Sequence, residues 1–137
     1  MEVTLYSGKV IKTPSGSIAF CNESDLRPVV RMYELSLEAN NEIKAWQVHE
    51  RESKWMRCTQ GIIMVKTCNL KTLDVETYIL DSNEFKWLTI PAGFANGIKP
   101  IKKGSKLLVG SDLSLIQAQN DNAKWPLEKV PTNWEII

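Results

Sequence analysis

The chain has 137 residues, 43% of them hydrophobic and 24% charged, a length that supports one globular core and a composition far from that of disordered or membrane-spanning chains. Seventeen lysines and arginines stand against sixteen aspartates and glutamates, a formal charge of +1, so the broad basic surface of a nucleic-acid binder is not expected. No apolar run approaches the roughly 20 residues of a membrane span, and the start Met1-Glu2-Val3-Thr4 has neither the basic nor the apolar stretch of a secretory signal, which predicts a cytoplasmic protein without a membrane partner.

Strand-like stretches come first at 3–6, 10–12 and 17–20, parted by Ser7-Gly8 and Thr13-Pro14-Ser15-Gly16. Strands are next predicted over 29–37 and 43–49, with Asn40-Asn41 as the turn between them, and over 54–59 and 62–69 around Gln60-Gly61. Two more, 74–80 and 85–90, flank Asp81-Ser82-Asn83, and the last, 106–110, follows Lys103-Gly104. The strands are rich in β-branched and aromatic residues, and the breaks in residues that tolerate turn geometry. Turn signals about every 8–12 residues, with no helical pattern of 10–15 residues between strands, predict an all-β antiparallel sandwich or barrel rather than a βαβ fold. The chain is expected to form a single domain, with its core over 28–112. From Gln117 to Ile137 the character changes: Asn120-Asp121-Asn122, Pro126 and Pro131 accompany Trp125 and Trp134, which are expected to anchor this tail on the barrel or on a second subunit.

Cys21, Cys58 and Cys68 lack CxxC spacing, and the latter two fall in strands, where buried free thiols are expected. A metal site would have to complete the single histidine, His49, with Glu50, Glu52 and others, so no metal and no other cofactor is expected.

The stretch Ile90-Pro91-Ala92-Gly93-Phe94-Ala95-Asn96-Gly97 resembles the Ile-Pro-x-Gly-Phe-Ala-His-Gly signature of the dTDP-4-dehydrorhamnose 3,5-epimerases, with Asn96 in place of histidine. Lys54-Trp55-Met56-Arg57-Cys58-Thr59-Gln60-Gly61 is similar to the same family's Lys-Leu-Val-Arg-Val-x-x-Gly segment at the lysine, the arginine and the glycine. Arg31-Met32-Tyr33 followed by Lys44-Ala45-Trp46-Gln47-Val48-His49 resembles the Arg-Val-Tyr and Arg-Gly-x-His-x-His segments of the dTDP-4-keto-6-deoxyhexose 3,4-ketoisomerases. The resemblance implies a jelly-roll (cupin) fold, a dTDP-linked sugar as ligand, and a homodimer paired through N-terminal strands. It also implies an isomerase or epimerase of deoxysugar and surface polysaccharide biosynthesis. Gln47 stands where the epimerases place their catalytic histidine, and Ser111-Asp112-Leu113-Ser114-Leu115 holds no tyrosine where their general acid belongs. A non-catalytic cupin that keeps the pocket and binds a sugar nucleotide or a partner is therefore the alternative.

Both reactions take a proton from carbon beside a ketone and return it elsewhere, which needs a base tuned near neutral pH and a cation for the developing oxyanion. His49 is assigned to proton transfer, Lys54 to the oxyanion, and Tyr33 to shuttling a proton or stacking on a base. Gln47 is assigned to the sugar, and Arg31 and Lys44 to the pyrophosphate, with Arg57 and Asn96 also counted among the binding residues. Strand alternation turns Ala45, Gln47 and His49 to one side, and Lys54 and Met56 to one side with Arg57 opposite. The plainer reading of each is a structural histidine, solvated charges at Lys54 and Arg57, and core or interface tryptophans at 46 and 55.

Overall fold

The computed structural model describes residues 1–38 and 41–135. Asn40 of the expected turn and the final two residues of the tail lie outside them. Twelve strands are described: β1 (Thr4–Ser7), β2 (Lys9–Thr13), β3 (Gly16–Phe20), β4 (Arg31–Leu37), β5 (Lys44–His49), β6 (Lys54–Gln60), β7 (Ile62–Asn69), β8 (Val75–Asp81), β9 (Lys86–Ile90), β10 (Phe94–Pro100), β11 (Ser105–Ser111) and β12 (Ala123–Lys124). A helix, α1 (Leu115–Gln119), and a 3-10 turn (Leu127–Lys129) complete them.

The pairing is nested: β4 with β11, β5 with β10, β6 with β9 and β7 with β8, all antiparallel. That nesting defines a jelly roll, in which a long folded ribbon is rolled into two sheets. One sheet runs β1-β9-β6-β11-β4, the other β12-β5-β10-β7-β8, and β2-β3 stands apart as a hairpin. Val10, Ile11 and Ile18 on that hairpin are exposed.

Alternate residues of each sheet meet in the middle. Met56, Leu88, Ile90, Leu107 and Val109 come from the first sheet, and Ile63, Val65, Leu80, Phe94 and Ile98 from the second. All are buried, and each aliphatic side chain removed from water contributes roughly 1.5–3 kcal/mol. Cys58 and Cys68 are buried free thiols, each with its pKa raised, chiefly by burial.

The other face of β5, β10 and β7 carries a second apolar cluster, closed by the tail. Trp134 tilts against the fully buried Trp46 with ring centroids 5.5 Å apart. The main chains of Trp125 and Trp46 exchange two hydrogen bonds of 3.1 Å, and Lys99 Nζ donates to the Trp134 carbonyl at 2.8 Å. Gly97 is needed beneath this tail, because a Cβ there would lie 2.6 Å from both Ala45 Cβ and Trp134 Cη2.

Besides the short β12 and the 3-10 turn in the tail, two elements depart from the sequence expectation. Residues 94–100, read as a motif rather than a strand, form the central strand β10. Asn96, Gly97 and Pro100 are poor strand formers, but neighbours on both sides saturate the backbone, and tertiary pairing overrides propensity. The short helix α1 begins at Ser114, whose side chain accepts from the Gln117 N–H while the Gln117 side chain accepts from the Ser114 N–H. This capping box serves a helix too short to show periodicity.

Candidate active site

Between the two sheets, at the end where β5 leaves and β6 enters, lies a cavity of about 340 Å³. Arg31 and Tyr33 of β4 and Lys54 of β6 reach it from one sheet; Lys44, Gln47 and His49 of β5 and Asn96 of β10 reach it from the other. Met56, Leu107 and Val109 form an apolar floor, and Leu115, Ala118 and Gln119 of α1 close one side. Arg57 does not line it. Alternation along β6 turns its guanidinium outward, 4.0 Å over the Phe85 ring, so Arg57 is not among the residues that can touch a ligand in this cavity.

The expected grouping of Ala45 with Gln47 and His49 is also corrected. Asn96 pairs with Gln47 but Ile98 pairs with Lys44, so β5 carries one extra residue in that interval, a β-bulge. The bulge resets the alternation. Lys44 joins Gln47 and His49 at the cavity, while Ala45 packs with Trp46 and Trp134 on the other face.

The loop 50–53 is held from outside itself. Asp121 Oδ1 accepts from the Glu50 N–H at 3.0 Å, and Oδ2 from the N–H groups of Arg51 and Glu52 at 2.9 and 2.7 Å. The Ser53 N–H donates to Asp112 Oδ1 at 2.9 Å. On the other side, Gly93, with φ of 95° in the region glycine alone enters freely, donates its N–H to the His49 carbonyl at 2.9 Å. This is what the glycine of the Pro-Ala-Gly-Phe segment provides.

The loop places Glu52, 2% exposed, at the centre of the site. Its Oε1 lies 3.2 Å from His49 Nδ1 and 3.2 Å from Lys54 Nζ. Its Oε2 accepts from Arg31 Nη2 at 3.1 Å and from the Ser111 hydroxyl. Lys54 Nζ also donates to the Tyr33 hydroxyl at 2.9 Å. A buried carboxylate is tolerated only when its oxygens are this fully engaged. Sequence reasoning weighed Glu52 only as a metal ligand and passed over Asp121, since neither sits in a motif and both act across distant loops.

His49 is itself buried, and its Nδ1 lies 3.1 Å from the Asp121 carbonyl. Burial, and then the charge of Lys54, push its pKa below the ordinary imidazole value, against the opposing pull of the Asp121 carbonyl, Glu52 and the Asp121 carboxylate. The imidazole is therefore neutral at pH 7, as a base must be. His49, Glu52 and Asp121 bring donor atoms within 4.8 Å of one another. The Asp121 carboxylate already accepts from main-chain N–H groups, and Glu52 is already neutralised by the Arg31 and Lys54 cations, which would repel a metal ion there.

Arg31 is drawn into the Glu52 ion pair and donates to the Leu113 carbonyl at 3.3 Å. Lys44, exposed at the cavity, forms no salt bridge among the described residues. Arg31, Lys44 and Lys54 against Glu52 leave the cavity with an excess of positive charge, suited to an anionic ligand.

A cupin jelly roll whose sheets enclose a cavity with charged side chains above an apolar floor is the class of protein that these features define. Among solved structures, the chain is similar to a dTDP sugar isomerase from Desulfovibrio desulfuricans G20, at 15% identity over 96% of this chain and 90% of that one, with a TM-score of 0.80. It is similar to dTDP-4-dehydrorhamnose 3,5-epimerase from Bacillus anthracis str. Ames with TDP and PPi bound, at 15% identity over 99% and 86% of the two chains, TM-score 0.80. A sugar 3,4-ketoisomerase from Thermoanaerobacterium thermosaccharolyticum in complex with TDP matches at 14% identity over 88% and 86%, TM-score 0.70. The chain thus has the fold shared by the dTDP-sugar epimerases and 3,4-ketoisomerases, the two groups its motifs resemble. No family model and no curated protein matches it.

Proposed function

We propose that the protein is a sugar-nucleotide epimerase or ketoisomerase acting on a dTDP-linked 4-keto-6-deoxyhexose in deoxysugar or surface polysaccharide biosynthesis. The observation that carries this reading is a buried imidazole, His49, whose Nδ1 shares one carboxylate oxygen with the Lys54 ammonium at the wall of the cavity. In the proposed step His49 takes a proton from carbon adjacent to the C4 ketone. The C–H electron pair moves into the ring and the carbonyl oxygen becomes an enolate, which Lys54 stabilises. Because Lys54 donates to the Tyr33 oxygen, the Tyr33 hydroxyl hydrogen is left to point elsewhere, and Tyr33 is the group placed to exchange a proton with the enediol. Lys44 faces the diphosphate, and Gln47 and Asn96, paired across β5 and β10, hydrogen-bond the sugar.

Incubation with dTDP-4-keto-6-deoxyglucose in deuterated water, followed by NMR, tests this reading. Solvent deuterium should enter at C3, at C5 or at both, and His49→Ala should abolish it. Gln47, lining the cavity in place of a histidine, favours a second reading, a cupin that binds a sugar nucleotide without turning it over. Ligand-induced shifts in the protein spectrum without any deuterium incorporation would select that one. The exposed apolar hairpin β2-β3 supports the further proposal of a homodimer, which light scattering giving a monomer mass would remove.

A further inference from the structure

The imidazole of His49 has two chemically distinct nitrogens, and the surroundings of one of them are unambiguous. Nδ1 lies 3.1 Å from the Asp121 carbonyl oxygen and 3.2 Å from Glu52 Oε1. A main-chain carbonyl can only accept, and a carboxylate oxygen that already faces the Lys54 ammonium at 3.2 Å is an acceptor too. A bare lone pair on Nδ1 would face two oxygen lone pairs in a buried site, so Nδ1 must carry the hydrogen. In a neutral ring Nε2 is then the unprotonated atom, and no protein group among the described residues bonds to it.

We infer that Glu52 is the positioning residue of His49: with the Asp121 carbonyl it holds the imidazole as the Nδ1–H tautomer and leaves Nε2 as the nitrogen that exchanges a proton with the ligand. The inference rests on the reading of His49 as the proton-transfer group. When Nε2 takes a proton, the imidazolium that forms has its Nδ1–H on the Asp121 carbonyl and an anion, Glu52 Oε1, already 3.2 Å from Nδ1 to meet the new charge. The same carboxylate is tied to Arg31, Lys54 and Ser111, so its oxygens cannot swing away from the ring. The charged and titratable groups around His49 are Glu52 from the loop, Lys54 from β6 and Asp121 from the segment after α1, with Arg31 and Tyr33 of β4 reaching them from behind.

Because the chain has one histidine, a nitrogen-15 NMR spectrum of the imidazole needs no assignment and no substrate. The wild-type ring should show Nδ1 protonated and Nε2 bare at neutral pH. In Glu52→Gln the Nδ1–H, left with the Asp121 carbonyl as its acceptor, should shift in the spectrum, and the His49 titration should move down, since a raising charge is lost. Glu50→Gln, a neighbouring exposed carboxylate, should change neither. A wild-type ring protonated at Nε2 overturns the inference, as does a Glu52→Gln spectrum that keeps both the Nδ1–H signal and the titration in place. Should Glu52→Gln unfold, Glu52→Asp, whose shorter carboxylate withdraws from Nδ1, carries the same two outcomes. The spectra are independent of turnover, so the tautomer assignment can fail with isotope exchange intact, and exchange can be absent with the tautomer as described.

Discussion

Replacing Asp121 by alanine removes the acceptor of three main-chain N–H groups, those of Glu50, Arg51 and Glu52. Hydrogen bonds to a charged partner contribute about 1.5–3 kcal/mol each, so an upper bound is roughly 4.5–9 kcal/mol. Glu50 and Arg51 are exposed, and water reaches their N–H groups once the carboxylate is gone. Glu52 stays buried, and its stranded N–H costs about 1–3 kcal/mol. Adding about 1 kcal/mol for each solvated bond gives an expected loss of about 3–5 kcal/mol. Asp121→Asn keeps one oxygen and turns its NH2 toward another N–H, for a loss of about 2–3 kcal/mol. Urea unfolding followed by tryptophan fluorescence gives the two values, and amide exchange reports the three groups directly. A loss under about 1 kcal/mol in Asp121→Ala, with amides 50–52 still protected, would refute the view that this carboxylate holds the loop.

Stability should also fall on acidification. The folded pKa of His49 is depressed, so below the ordinary value of 6.5 the unfolded chain binds the proton first. The loss should approach about 1.4 kcal/mol per pH unit and level off only below the folded pKa, and His49→Gln should flatten that slope in urea melts. Gly97→Ala, with 2.6 Å between the added Cβ and both Ala45 and Trp134, should cost about 1–3 kcal/mol and loosen the tail, seen as enhanced quenching of Trp134. Lys54→Met should lower the rate of deuterium incorporation by about 10²–10³-fold with the fold kept. Arg57→Gln, on the outer face, should leave that rate within about twofold while losing about 0.5–1 kcal/mol of its interaction with Phe85.

The strands with alternating β-branched and aromatic residues were legible because period 2 is a local property, and β4, β6 and β7 begin or end within two residues of the expected bounds. β10 was not, since Asn96, Gly97 and Pro100 are held in extended form by their neighbours rather than by their own preference. Seven of the residues singled out for chemistry (Arg31, Tyr33, Lys44, Gln47, His49, Lys54 and Asn96) line one cavity. Their motifs lie on strands that the jelly roll brings together. The bulge in β5 left no trace, because an extra residue in a ladder is visible only against its partner strand. Glu52 and Asp121 were hidden for a related reason. The first occupies a loop with no periodicity, and the second meets it across 69 residues of chain.

The latch between Asp121 and the loop after β5 also sets an order of events during synthesis. His49 leaves the ribosome 72 residues ahead of the carbonyl that will hold its ring, a delay of roughly 4–14 s at ordinary elongation rates of about 5–20 residues per second. Throughout that interval the amides of Glu50, Arg51 and Glu52 lack the carboxylate that will hold them. A nascent chain halted before residue 121 can therefore roll most of its sheets and still hold an unfinished centre. The newborn protein acquires its shape before its chemistry.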